Sequence, residues 1–277
     1  MKKFLLESFV FLFILIIFIE AISQFLIITD LYLIRLPGKE IYYSISKSKK
    51  KNASKKLLLG DSVGRQLFDN KTNNKNINSL ACNQAIGIIG QYFLLNNYLK
   101  TGNDIDTLFM VFTPLSFGNN LDQIYTYHYF LKPFYNSEYR PLFSQIANKQ
   151  ISKIPYKQFL YLPHIHLTAW APDFHSTDSK KFKLFSPISI EYLKKIKDLS
   201  LKYNFKIILL PTPTSIEKKN HLIEYIDTYE IQQTNMEKEF DEYFKKIIYL
   251  DSSKFCDGTH LKDPSIYTKL YKEKWVK

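Results

Sequence analysis

The 277-residue chain is 45% hydrophobic and 16% aromatic, enough to bury one sizeable α/β domain with an appendage but not two independent domains. Its net charge of +12 comes from lysines that are scattered outside one short run and accompany no recognition motif, which excludes a nucleic-acid reader but not a basic surface facing anionic lipid or an acidic polymer. Two cysteines, Cys82 and Cys256, leave the redox compartment open, and without CxxC or clustered His/Cys spacing neither a metal site nor a cofactor is expected.

Residues 1–29 are predicted to form an uncleaved membrane anchor. The run FLLESFVFLFILIIFI at 4 to 19 is almost wholly apolar and continues past Glu20 to Ile28. A hydrocarbon core of about 30 Å needs about 20 such residues. The run is longer than a signal-peptide core, and no small-x-small cleavage site follows it. Glu7 and Glu20 lie toward its two ends, where a carboxylate reaches the interface. Lys2 and Lys3 favour a cytoplasmic N-terminus, while Arg35, Lys39 and the run SKSKKKNASKK at 46 to 56 oppose it. Much of that run lies too far from the span to count, so the expectation is a single-pass protein with its domain on the extracytoplasmic side. Residues 30–56 read as a basic juxtamembrane linker, helical in part.

The domain is expected over 57–277. LLLGDSVG at 57 to 64 reads as a buried strand running into a tight turn at Gly60 and Asp61, with Ser62 at a helix start outside the strand's carboxyl end. A short helix, the polar loop DNKTNNKNIN and a short strand near 77 to 82 follow. QAIGIIGQYFLLNNYLK carries apolar residues at helical spacing, and the third strand is expected at 107 to 113.

Residues 116–187 form a long insertion after that strand, dense in Tyr, Phe, Pro and His. Connections in α/β units are usually short, so the insertion reads either as a lid or binding surface, or as a small helical subdomain whose aromatics are its own core. Trp170 is the candidate for stacking on a sugar ring or meeting a membrane interface. His128, His164, His166 and His175 also lie here, with no acidic residue or cysteine at metal-ligand spacing.

IEYLKKIKDLSLKYN is an amphipathic helix, and FKIILLPTPTS at 205 to 215 is a fourth buried strand stopped by Pro211 and Pro213. A helix-rich stretch over 216 to 245 leads to a fifth strand, KIIYLDSS, then to CDGTHL at 256 to 261 and a C-terminal helix. Alternating strands and helices predict a parallel sheet in three layers.

Gly-Asp-Ser and Asp-Gly-Thr-His are ordinary turns when met alone. Together, at opposite ends of the domain and in this order, they read as a split triad. Asp257 and His260 are three residues apart, close enough on one turn for the carboxylate to orient the imidazole while its other nitrogen faces Ser62.

On these two blocks the chain resembles the SGNH hydrolase superfamily, the GDSL-like esterases, over roughly residues 57 to 277. The resemblance implies a three-layer flavodoxin-like fold with a five-stranded parallel sheet in the order 2-1-3-4-5. It also implies acyl chemistry with Ser62 as nucleophile, His260 as base and Asp257 as orienter. The oxyanion would be held by the Ser62 amide and a glycine after the second strand, Gly87 or Gly90, with Gly87 preferred. The family's GxND block is missing after the third strand. Thr113 and Pro114 stand there instead, which resembles the membrane-anchored branch serving teichoic-acid D-alanylation and places Thr113 beside the substrate. One missing oxyanion donor costs about 3 kcal/mol of transition-state stabilisation. Asn83 either supplies a replacement amide or caps the following helix. The implied function is a membrane-anchored esterase or O-acyltransferase acting on an acylated cell-envelope glycan or polymer. The alternative is a weakly active or non-catalytic accessory factor that binds such a polymer or a membrane-bound acyltransferase.

Overall fold

Leu57, Leu58 and Leu59 are all fully buried although successive strand residues point to opposite faces, as happens when a strand is covered on both sides. The computed structural model describes residues 1–29, 31–34, 37–71, 76–123, 125–168 and 183–276. Helices α1 (Lys2–Ile28) and α2 (Lys39–Ser48) precede the leucine strand β1 (Lys56–Gly60), followed by α3 (Ser62–Leu67), β2 (Asn78–Ser79), α4 (Gly87–Lys100) and β3 (Thr107–Phe112). The insertion holds α5 (Lys132–Phe134), α6 (Gln145–Ser152) and α7 (Pro163–Leu167). Next come α8 (Pro187–Tyr203), β4 (Lys206–Pro211), β5 (Thr214–Ser215), α9 (Lys219–Tyr225) and α10 (Thr228–Gln232). The chain closes with α11 (Glu237–Lys245), β6 (Tyr249–Leu250) and α12 (Pro264–Lys274).

The protein is mixed α/β, with a parallel four-stranded sheet in the order β2-β1-β3-β4. Leu57, Leu59, Met110 and Leu209 join one apolar layer with α4 and α8, while Leu58, Val111 and Leu210 join the other with Val63 and Leu67 of α3 and Tyr271 of α12.

The sheet ends one strand earlier than the sequence suggests. Tyr249 and Leu250 pair in parallel with Thr214 and Ser215, not with β4, so the fifth run forms a separate two-residue ladder. Pro213 has no amide hydrogen to extend β4, and the Thr212 amide is taken by the Phe112 carbonyl at 3.0 Å. The edge partner therefore lies beyond the proline break.

The aromatics of the insertion divide by position. Tyr127, Phe130 and Phe134 are fully buried, and Phe134, Tyr139 and Phe143 ring Phe93 of α4 at centroid distances of 5.5, 5.2 and 5.4 Å. This half extends the core, as the helical-subdomain reading expects. Tyr156, Phe159, Tyr161 and Leu162 remain exposed. Trp170 and His175 lie outside the described residues.

Helix α1 is long and apolar enough to cross a membrane, with a mean hydropathy of 2.7 over its most apolar window, of which 6% is buried in the protein. Residues 1 to 19 are all exposed, whereas Glu20, Ser23, Leu26 and Ile27 lie on one face turned toward the domain. There α1 meets α7, and Glu20 pairs with the His164 ring. The following basic stretch lies against the domain. Ile41 of α2 is fully buried, and the Lys47 and Lys51 ammonium groups donate to the Asn70 and Gly102 carbonyls at 2.9 and 2.8 Å.

Candidate active site

The position of Ser62 starts with Asp61. Its side chain caps α3 by accepting from the Val63 and Gly64 amides at 3.0 and 2.9 Å, a role an aspartate fills well at a helix start. Its other oxygen accepts from the Thr113 amide at 2.5 Å and the Ser116 hydroxyl at 2.6 Å. Four donors compensate a carboxylate that is completely buried. They also tie the ends of β1 and β3 together, so Ser62 is held at a fixed junction. Glycine is required beneath it. A Cβ on Gly64 would lie 2.4 Å from the Val111 carbonyl oxygen, so only glycine lets α3 approach β3 this closely.

The second half of the site is the loop between Phe255 and Leu261, which close on each other as an antiparallel bridge. Asp257 accepts from the Thr259 and His260 amides at 3.1 and 2.8 Å, and its other oxygen meets His260 Nδ1 at 2.7 Å. These bonds, led by the His260 amide, hold the Asp257 carboxyl down at about 2. His260 Nε2 stands 2.9 Å from Ser62 Oγ. The two sequence blocks thus meet in nucleophile, base and orienter geometry, within the distance a proton transfer needs.

Two residues that the sequence reading did not single out hold this loop. Gln66, one turn beyond Ser62, donates to the Leu261 carbonyl at 3.3 Å and accepts from its amide at 3.1 Å. Lys218 donates to the Gly258 carbonyl at 2.8 Å and the Thr259 hydroxyl at 3.1 Å. Burial pulls the Lys218 ammonium below its ordinary range, and the nearby Asp257 charge opposes that shift.

The expected oxyanion donors are placed differently. The Gly87 amide donates to the Gln84 carbonyl, consistent with a glycine at φ +59° ending a short turn. Asn83 accepts from the Ala85 amide at 2.9 Å, so it is a cap, and its own amide reaches Glu40 at 3.3 Å. The Gly87 amide is thereby committed, while the Asn83 side-chain amide keeps a second hydrogen beyond its bond to Glu40. The Ser62 amide, first in its helix, has no acceptor among the described residues. The Thr113 hydroxyl lies 3.0 Å from Ser116 Oγ, so this residue is a buckle between strands as well as part of the wall. A cleft of about 70 Å³ lies between Gln84, Thr113, Pro114, Lys218, Gly258 and Thr259. The Gln84 side-chain amide is without a hydrogen-bond partner among the described residues. Larger cavities of about 640 and 660 Å³ lie under α12 and beside β4; none of the three is lined by Ser62, Asp257 or His260, and the small cleft abuts the His260 loop only through Gly258 and Thr259.

The remaining candidates have other partners. His164 pairs with Glu20, and the His166 ring bonds the Leu160 carbonyl. Both cysteines are free thiols, and burial pushes the Cys82 thiol up to about 12. No protein-family model matches the sequence, and neither a curated protein nor a solved structure matches the chain.

Proposed function

We propose that the chain is a membrane-anchored serine esterase or O-acyltransferase of SGNH type, with its domain on the extracytoplasmic side and an acylated cell-envelope glycan as substrate. The observation that carries this reading is the contact of Ser62 Oγ with His260 Nε2 at 2.9 Å, backed by Asp257 on Nδ1 at 2.7 Å. Ser62 attacks an ester carbonyl and His260 takes the hydroxyl proton. The tetrahedral oxyanion rests on the Ser62 amide, and we assign the second donor to the Gln84 side chain because it lines the cleft between Thr113 and Gly258. Collapse expels the alcohol, which receives the proton from His260 and leaves an acyl-serine. His260 then deprotonates water or an acceptor hydroxyl, whose attack frees Ser62. The basic, aromatic surface and the exposed apolar helix suit an anionic envelope polymer at a membrane.

A second reading rests on the Gly87 amide, whose bond to the Gln84 carbonyl withdraws the expected glycine donor and favours an accessory factor for a membrane-bound acyltransferase. A fluorophosphonate probe separates the two. The enzyme reading expects labelling at Ser62 that is lost in Ser62→Ala, together with turnover of a small acyl ester. An unlabelled Ser62 and no turnover would transfer the proposal to the accessory factor.

A further inference from the structure

We infer that the chain meets the membrane twice: through α1, and through the exposed segment 156–162 of the insertion, which lies in the headgroup layer of the same bilayer. This rests on α1 being a span.

The part of α1 that is free of the domain, residues 2 to 19, is about 27 Å long at 1.5 Å per residue, close to the thickness of a hydrocarbon core. Contact with the domain begins at the next residue, Glu20, which pairs with His164 of α7. When the apolar run 4 to 19 fills the hydrocarbon, with Lys2 and Lys3 at the far headgroups, α7 stands at the membrane-water boundary and fixes the height of the chain leading into it.

That chain has the composition of an interfacial surface. Tyr156, Phe159, Tyr161 and Leu162 are 51%, 42%, 55% and 40% exposed, although the equally aromatic first half of the insertion is buried. Aromatic side chains favour the headgroup level, where the ring is shielded and the polar tip stays wet. Lys157 lies within the segment and Lys149 and Lys153 shortly before it, and residues 145 to 168 contain no Asp or Glu. A cationic, aromatic strip beside the end of an apolar helix matches an anionic lipid surface. The Glu20–His164 pair belongs to the same arrangement, because a carboxylate near the hydrocarbon edge needs a partner and the docked insertion supplies one.

The test uses the full chain in nanodiscs containing anionic phosphatidylglycerol, in a Cys256→Ser background, since Cys82 is buried and unreactive. Environment-sensitive labels are placed in turn at Leu12→Cys, Phe159→Cys, Leu162→Cys and Ile266→Cys, and spin-labelled lipids act as quenchers. Ile266 lies on α12, in the layer opposite the insertion, and is 62% exposed. Labels at 12, 159 and 162 should lose emission, with headgroup-labelled lipid more effective than deep-chain lipid at 159 and 162, while the label at 266 keeps its signal. Quenching at 12 with none at 159 and 162 would overturn the second contact and leave the span standing. No quenching at 12 would overturn the span and the inference together.

Discussion

Asp61 carries more structural consequence than its place in a turn motif suggests, because its two oxygens bind the helix that presents Ser62 and the loop that follows β3. The wall of the cleft and the nucleophile are therefore set by the same carboxylate. Gln84 and Asn83 are adjacent but should behave differently on substitution. Gln84→Leu is expected to lower kcat on a small ester by about 100-fold with KM nearly unchanged, the signature of a lost oxyanion donor. Asn83→Ala should cost about 1 kcal/mol of stability as a lost cap and leave kcat close to wild type. Steady-state kinetics with thermal unfolding on both variants separates the roles. Asp257 gives a pH test whose sign is fixed. Its folded carboxyl lies at about 2, below the ordinary carboxylate value, so its contribution to the loop is complete above about pH 4 and is lost as pH falls through about 2. A carboxyl-carbon NMR titration should show that midpoint, and a midpoint near 4 would mean the His260 contacts do not persist in solution. The convergence of Ser62, Asp257 and His260 was legible in two short motifs, because residue types and order survive without coordinates. The oxyanion donors were not, because whether the Gly87 amide is free depends on how the turn at Gln84 closes.

At the level of elements, the packing of α3 on β3 tolerates no side chain at Gly64, where a Cβ would lie 2.4 Å from a backbone oxygen that cannot swing away. Gly64→Ala should destabilise the domain by about 2 kcal/mol or more, read as a lowered denaturation midpoint. Because Ser62 sits in the same helix, activity should fall with it. Gln66→Leu makes a complementary case. It removes two bonds to Leu261 and should lower kcat several-fold by loosening His260 while leaving the denaturation midpoint within about 1 kcal/mol of wild type. Strands β1, β3 and β4 and helices α4 and α8 were evident as apolar runs of the right period. The pairing of the fifth strand was not, since its apolar run resembles any other and only the proline break after β4 decides what it pairs with. Composition alone also could not divide the insertion, because a tyrosine that packs on Phe93 and one that faces outward have the same letter.

At the level of the whole molecule, an apolar helix whose first 18 residues are all exposed has no cover there among the described residues. The full protein should stay with membranes through alkaline carbonate extraction, and a chain lacking residues 1 to 29 should appear in the wash. Release of the full protein would point to a peripheral association. The docking of α1 on α7, continued by α2 and by lysines laid onto the domain, also bears on how far the serine can travel. A flexible leash would let the domain sweep a volume and collect acyl groups at many heights. If α1 spans a bilayer, a stem braced at its base holds Ser62 and His260 at one elevation above the lipid. For the esterase we propose, selection among esters would then be partly a matter of altitude: a bond far out along a polymer would stay untouched until the polymer bends back, whatever its chemistry.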